Sequence, residues 1–169
     1  TLVKEETRKM EDVVVRGVSV DKNQAKITIA QVPDRPGVAA RIFKAIADTH
    51  VNVDMIVQNV SESGLTDMTF TVNKDDLPRA RKVIEALVRE IGAKGFTCTE
   101  GMAKLSVVGI GMRSHSGVAA GMFEALAAEK INIQMISTSE IKISVVISAA
   151  EADRAMNVVH EKFGLGKMI

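Results

Sequence analysis

The sequence has no tryptophan and no tyrosine, and five phenylalanines are its only aromatic residues. Proteins that bind single-stranded RNA on a β-sheet stack the bases on exposed aromatic side chains. The single cysteine, Cys98, can form no internal disulfide and cannot supply the paired thiolates of a copper or zinc carrier. These absences argue against an RNA-binding sheet, a disulfide-stabilised fold and a thiolate metal site.

An excess of charge of one sign is missing as well. The chain has 22 basic and 21 acidic residues, a formal net charge of +1. This balance favours a small neutral or zwitterionic partner over nucleic acid or an acidic membrane surface. No apolar run approaches the roughly 18 residues of a membrane-spanning helix, and no signal peptide is visible. We therefore expect a cytoplasmic protein that binds neither nucleic acid nor membrane.

The motifs of a catalytic centre are not found either. Neither the P-loop motif nor the dinucleotide-binding glycine motif stands between a predicted strand and a predicted helix. His50, His115 and His160 have no second histidine or cysteine at metal-ligand spacing. The sequence predicts that these 169 residues contain no catalytic residue, no metal site and no cofactor.

An internal repeat dominates what is present. Aligning Gly37 on Gly117 gives ten identities in twenty positions, residues 37–56 against 117–136. Further along, the offset falls from 80 to 75, because a hairpin turn is five residues shorter in the second copy. The repeat predicts two domains, 13–94 and 95–169, which are allowed to exchange strands. Residues 1–12 are expected to be a linker from an upstream domain.

Hydrophobic periodicity predicts the same elements in both halves: strand, helix, strand, strand, helix, and one further strand. This is the element set of an α+β fold with two ferredoxin-like βαββαβ domains, whose helices cover one face of an antiparallel sheet. The opposite face is predicted to be open, with Thr69 and Thr71 in the first half and Lys142, Ser144 and Val146 in the second. The predicted strands are 13–20, 25–32, 51–57, 68–72, 96–100, 104–108, 131–138 and 141–147, and the predicted helices are 37–49, 73–92, 118–129 and one after Glu151.

Two local patterns make the fold prediction more specific. The polar run Asp21–Gln24 is predicted to be a turn that joins the first two strands into a hairpin. In the strand after the first helix, Val51, Val53, Met55 and Val57 alternate with a mostly polar set, Asn52, Asp54, Ile56 and Gln58. This alternation predicts that the first set shares one face toward the core.

The best candidate for function is the loop from Pro33 that enters a helix at Gly37. A glycine there lets free backbone N–H groups approach a carboxylate, and Asp34 beside them could bind an ammonium or hydroxyl group. The alternative is that Gly37 and Gly117 only make a turn, while Val38, Ala39 and Ala40 only pack closely. The polar residues Asn52, Asp54, Gln58, Asn132 and Gln134 lie on strands and could add contacts, or they could simply form solvated strand edges.

The residues at these junctions resemble a known family. VPDRPGVAARIF (32–43) and VNVDMIVQN (51–59) are similar to the ACT domain, the amino-acid-sensing module of metabolic enzymes. MRSHSGVAA (112–120) and INIQMISTSEI (131–141) closely resemble the tandem ACT region of bacterial aspartate kinase. The similarity extends from Met10 to about Gly166.

The resemblance implies the function of a regulatory region, or beta subunit, of aspartate kinase. Such a region binds threonine and lysine, forms a homodimer through its ACT domains, and inhibits aspartate phosphorylation by an upstream kinase domain or a catalytic subunit. ATP and Mg²⁺ belong to the full kinase, and the region itself has no cofactor. The alternatives are a free-standing amino-acid-binding ACT protein that regulates another enzyme and a purely structural dimerisation module.

The family's sites combine the loop–helix junction of one domain with the strand start of the other. Ser116 stands where some relatives have a proline, which makes the second loop less rigid. Carried onto this chain, the first effector site comprises Asp34, Gly37, Val38, Ala39 and Gln58 with Asn132 and Ile133, and the second comprises Ser114, His115, Gly117 and Val118 with Asn52, Val53 and Asp54.

Overall fold

The computed structural model describes residues 15–59, 63–109 and 115–164, which form two compact units. The first unit comprises residues 23–102. The second comprises residues 15–22 together with the described residues from 103 onward. These units differ from the predicted domains 13–94 and 95–169, because residues 15–22 group with the second unit and residues 95–102 with the first.

Two long strands explain this division. β1 (Val15–Pro33) and β4 (Gly95–Gly109) are each continuous, with 19 and 15 residues. The predicted turn at 21–24 and the predicted break before 104 are therefore wrong. Gln24 is already paired with Asn73 in the sheet, so pairing with a neighbouring strand overrides the turn composition of this segment.

The first unit has a sheet in the order β2-β3-β1-β4. β3 pairs antiparallel with both β1 and β2. The helices have apolar stripes at a spacing of three and four residues, with Val38, Ile42 and Ile46 on the first one. The elements besides β1 and β4 are α1 (Val38–Ala47), β2 (Val53–Gln58), β3 (Leu65–Asn73), a 3-10 turn (Lys74–Asp76) and α2 (Leu77–Ile91).

The second unit repeats this plan. Its sheet has the order β1-β4-β6-β5, and β5 pairs antiparallel with β6 in an unshifted register. The elements are α3 (His115–Ala128), β5 (Met135–Thr138), β6 (Lys142–Ser148), a 3-10 turn (Ala149–Glu151) and α4 (Ala152–Lys162). Each unit thus has four strand segments and two helices, which confirms the predicted α+β class with two ferredoxin-like domains.

Each unit has its own apolar core. In the first, Phe70 of β3 is fully buried, and Phe43 of α1 meets its ring edge-on at 5.4 Å between centroids. In the second, Ile143, Val145 and Ile147 of β6 are fully buried in the core that also contains residues of α3 and α4. No helix among residues 15–59, 63–109 and 115–164 is long and apolar enough to span a membrane.

A β-bulge in β2 changes which side chains share a face. Val53 lies opposite Val72, but Ile56 lies opposite Phe70, so Asp54 and Met55 together face one residue, Thr71. Since directly paired residues point to the same side of a sheet, Met55 lies on the face of Thr71, while Val53 lies on the helix-covered face. The predicted common face of Val53, Met55 and Val57 is therefore wrong.

The sheet faces turned away from the helices are not open at every predicted position. Thr71 and Val146 are completely buried and Ser144 is 3% exposed. Ser144 Oγ lies 2.7 Å from Ser106 Oγ, and Thr69 Oγ1 lies 2.9 Å from Thr28 Oγ1. These hydroxyl pairs satisfy polar groups that lie on partly or fully covered surfaces.

Candidate functional site

The first loop–helix junction begins where β1 ends at Pro33. The N–H of Asp34 donates a 2.9 Å hydrogen bond to the carbonyl of Gly64, in the turn before β3. Gly37 then takes a left-handed conformation with φ 93° as the N-cap of α1. A side chain would strain this backbone, which explains the glycine at this position.

The start of α1 has no side-chain cap. The N–H of Val38 donates to the carbonyl of Arg35 at 3.4 Å, and the first helical bond joins Arg41 N–H to the Gly37 carbonyl at 3.0 Å. Helix geometry therefore leaves the N–H groups of Ala39 and Ala40 without an intrahelical acceptor. The partial positive charge of a helix N-terminus adds to the attraction of these groups for an anion.

A cleft of about 210 Å³ lies beside this junction. Two guanidinium groups, those of Arg35 and Arg41, line it, and Arg41 also forms a 2.8 Å ion pair with Glu90. The remaining lining residues are Pro36, Gly37, Val38 and Ile91. The helix start that was predicted from Gly37 is thus a concave and locally basic surface, although the chain as a whole has almost no net charge.

The sheet of the first unit brings Asp34 and Gln58 to the same end. β2 finishes at Gln58 and β3 starts at Leu65, which is paired with Pro33 of β1. Both Asp34 and Gln58 are exposed. Their side chains are available to a ligand at this end of the sheet.

The apolar residues predicted for the first site have a different role. Val38 is 9% exposed and belongs to the core of the first unit, and Ala39 is half-buried against that core. Their side chains are used in packing, so only their main-chain groups can contact a ligand. The interpretation of these residues as packing residues is correct for the side chains and leaves the backbone N–H groups available.

The second junction differs from the prediction. α3 begins at His115 rather than at Val118, so Gly117 lies in the first turn of the helix instead of before it. Val118 is buried in the core of the second unit, as Val38 is in the first. Ser114 and the side chain of His115 lie outside the described residues. Gly37 and Gly117 match in sequence, but Gly37 is an N-cap residue and Gly117 is a helical one.

The residues predicted to face these junctions lie at the start of β2 and just before the start of β5. Asn52 and Asp54 are exposed, whereas Val53 packs against the core of the first unit. Asn132 is exposed and Ile133 packs against the core of the second unit in the same way. Asn52, Val53 and Asp54 lie at the opposite end of β2 from Gln58, so one strand contributes to both predicted sites.

Two features near these residues were missed by sequence analysis. Thr71 Oγ1 accepts a 3.1 Å hydrogen bond from the N–H of Met55, and Asp67 Oδ1 accepts a 3.0 Å bond from the N–H of Gln31. Both join residues far apart in the chain, and strand periodicity contains no signal for them. The two arginines of the cleft could have been found, because Arg35 and Arg41 flank Gly37 in the sequence.

The pKa of the Cys98 thiol departs from its ordinary value. Burial raises the pKa of the Cys98 thiol, the positive charge of Arg81 lowers it, and Glu100 and Glu85 raise it further. Cys98 is thus a poor nucleophile at neutral pH. In the part of the chain that the structure describes, no three histidine, cysteine, aspartate or glutamate side chains are grouped to bind a metal ion.

Comparison with known families gives two matches, one in each half of the chain. Models of the ACT domain match residues 26–89 and residues 105–163. The matched ranges include both loop–helix junctions and both strand starts described above. The internal repeat is therefore a repeat of ACT domains.

Individual relatives agree with this result. The aspartokinase of Mycolicibacterium smegmatis is 49% identical over 159 residues, which are 93% of this chain and 38% of that protein. A chain in the crystal structure of aspartokinase alpha and beta subunits is 48% identical, with a TM-score of 0.82. The match covers 88% of this chain and 98% of that one. The ligand-free regulatory subunit of aspartate kinase from Thermus thermophilus is 41% identical, with a TM-score of 0.83 and coverage of 89% and 99%. This chain spans less than half the length of the curated aspartokinases that it matches.

Proposed function

The chain belongs to the ACT-domain family, in the regulatory region of aspartate kinases, and on this premise we propose that it binds threonine and lysine as feedback inhibitors of aspartate phosphorylation. The observation that supports this most directly is the uncapped start of α1 beside an exposed carboxylate, Asp34. An amino acid has two charges of opposite sign at fixed separation. At the junction, the N-terminus of α1 can bind the negative carboxylate and Asp34 can bind the positive ammonium group.

The chemistry of the first effector site follows from these two partners. The ligand's carboxylate accepts hydrogen bonds from the N–H groups of Ala39 and Ala40, and the helix N-terminus adds about 0.3–1 kcal/mol for a negative group. Arg35 and Arg41 raise the local positive potential further. Asp34 binds the ligand's ammonium or hydroxyl group through a charge-assisted hydrogen bond. Threonine has both of these groups.

The side chains that complete the two sites are part of the same proposal. Gln58, Asn132 and the main chain of Ile133 add polar contacts to the first ligand. Asn52, Asp54 and the main chain of Val53 do so at the second site, which also includes Ser114, His115, Gly117 and Val118. Asp54 gives the second site a carboxylate suited to a second ammonium group, and we therefore propose lysine as its ligand.

Titration calorimetry on the 169-residue chain tests the binding proposal. Threonine and lysine should bind, and valine, which has the shape of threonine without its hydroxyl, should bind more weakly. Asp34→Ala should weaken threonine binding about 10- to 100-fold, because it removes a hydrogen-bonded charge worth about 1.5–3 kcal/mol. Asp48→Ala is the matched control, since Asp48 is an exposed carboxylate at the other end of α1. Equal affinity for all three amino acids would refute the assignment.

We also propose a catalytic partner, a kinase region that transfers phosphate from ATP to aspartate with Mg²⁺. Support comes from the similarity of this chain to solved structures of aspartokinase alpha and beta subunits and of the regulatory subunit of a Thermus aspartate kinase. In the test, the chain is joined to or mixed with an aspartate kinase catalytic region, and ADP release is measured. Threonine should inhibit the wild-type assembly and should inhibit the Asp34→Ala assembly only at higher concentration. Inhibition that does not depend on this chain would contradict the proposal.

A homodimer through the ACT domains is the last part of the proposal. Ile56 on β2 and Ile136 on β5 occupy equivalent positions of the repeat, on the edge strands of their sheets, and are 53% and 47% exposed. An edge strand with an exposed apolar residue favours pairing with another strand. Sedimentation of the wild type and of Ile56→Lys over a dilution series tests this. The variant should dissociate at a higher concentration, and an unchanged monomer–dimer balance would count against the dimer.

A further inference from the structure

The start of β2 and the equivalent start of β5 are held by different hydrogen bonds. β2 begins at Val53, two residues before Met55. β5 begins at Met135, which matches Met55 in the repeat, so Ile133 and Gln134 are not part of the strand. A difference between two otherwise similar copies needs a local cause.

The two starts differ in the residue that faces each methionine. Met55 faces Thr71, whose Oγ1 accepts its N–H at 3.1 Å, and Thr71 is completely buried. Met135 is paired with Val146, which matches Thr71 in the repeat and has no hydroxyl. A bulge leaves a ladder N–H without its regular carbonyl acceptor, and a buried N–H without an acceptor is costly. Thr71 removes that cost in the first unit.

The stabilised bulge lies next to residues that we assigned to ligand binding. Asn52, Val53 and Asp54, the strand-start segment, directly precede Met55, and Val53 is paired with Val72 beyond the bulge. The pairing sets the side of the sheet toward which each of these residues points. A bond that stabilises the bulge therefore also fixes the orientation of the exposed Asn52 and Asp54.

We propose that Thr71 is a positioning residue for ligand binding by the strand-start segment, since its buried hydroxyl fixes the bulge that orients Asn52, Val53 and Asp54. Thr71 itself does not contact the ligand. The inference rests on the proposed function, because it assumes that the strand-start segment binds an amino acid. In the second unit the N–H of Gln134 donates a 2.8 Å hydrogen bond to the main-chain carbonyl of Val146, so a backbone acceptor is used there instead of a side-chain hydroxyl.

The first test removes the hydroxyl without changing the size of the side chain. In Thr71→Val, hydrogen exchange at the Met55 amide should become about five- to tenfold faster, because the N–H loses its acceptor. Thr71→Ser keeps the hydroxyl and should restore slow exchange. If Met55 exchanges at the same rate in Thr71→Val as in the wild type, the hydroxyl does not fix the bulge and the inference fails.

The second test measures ligand affinity by calorimetry with threonine and lysine. The amino acid whose binding is weakened in Asp54→Asn is taken as the second-site ligand. Its affinity should fall about fivefold in Thr71→Val and recover in Thr71→Ser, while the other amino acid is unaffected. Thr28→Val is the control, because it removes a hydroxyl pair from the same sheet without touching β2.

Each outcome of these experiments has a distinct meaning. Wild-type protein that binds neither amino acid overturns the proposed function, and the inference falls with it. Wild-type binding with unchanged affinity in Thr71→Val overturns the inference alone. An equal loss of affinity in Thr71→Val and Thr28→Val also overturns it, since the effect would then come from general destabilisation of the sheet.

Discussion

The main-chain N–H of Gln31 donates a hydrogen bond of 3.0 Å to Oδ1 of Asp67, a residue 36 positions away on the neighbouring strand. Gln31 has φ 54° and lies where the pairing of β1 with β3 shifts, between Ile29 and Val32. Regular pairing resumes at Val32, two residues before Asp34. The bond from Asp67 therefore stabilises the backbone from which the first loop–helix junction leaves the sheet.

Removing this acceptor should destabilise the protein. Asp67→Ala deprives the Gln31 N–H of its partner, and we expect the free energy of unfolding to fall by about 1 kcal/mol. Asp67→Asn keeps an oxygen at the same position and should lose less. Urea unfolding followed by circular dichroism measures both. Equal losses in the two variants would mean that the charge of Asp67, rather than its acceptor oxygen, is what matters.

Gly37→Ala separates backbone strain from ligand access. A Cβ at Gly37 would meet no atom of the chain within 4 Å, but the left-handed backbone should cost about 1–2 kcal/mol of stability. Gly101→Ala is a matched control, because Gly101 has φ 70° and equally open surroundings. Both variants should melt at lower temperature, and only Gly37→Ala should weaken threonine binding. An equal effect on binding would show that Gly37 matters only for the turn.

Replacing either of two equivalent residues after α1 and α3 by glycine should stabilise the protein. His50 and Lys130 have φ 61° and 58°, and each N–H donates to a carbonyl of the last helical turn at 2.9 Å. This is the left-handed helix end at which glycine is favoured. His50→Gly and Lys130→Gly should each raise the free energy of unfolding by up to about 1 kcal/mol. The corresponding alanine variants should not, and a gain from alanine would contradict the explanation.

Cys98 should react slowly with iodoacetamide. Burial raises the pKa of its thiol, so less thiolate is present at pH 8 than for an exposed cysteine. The rate should be below that of the unfolded chain in urea and should rise with pH. Arg81→Gln should slow the reaction, because the positive charge of Arg81 lowers the pKa. Glu100→Gln should accelerate it, and mass spectrometry of the alkylated protein gives all these rates.

Local residues determined the repeat, the α+β class and the first junction. Identities such as Asn52 with Asn132 reveal the duplication without any structure. Gly37 is needed because a left-handed N-cap disfavours any side chain, and the helix after it follows from the spacing of Val38, Ile42 and Ile46. These features depend on neighbours within a few residues, which is the range over which sequence patterns are informative.

Only the tertiary structure decided which segments became continuous and which faces were buried. Asp21–Gln24 has the composition of a turn, yet it lies inside β1, because pairing with a neighbouring strand supplies partners that a turn would forgo. The role of Thr71 was also decided by the tertiary structure, because its hydroxyl accepts a hydrogen bond from the N–H of Met55, sixteen residues away on another strand. Strand pairing joins residues distant in sequence, and a one-residue shift in register changes every facing side chain. The local propensities of the residues therefore do not determine which strands pair or in which register.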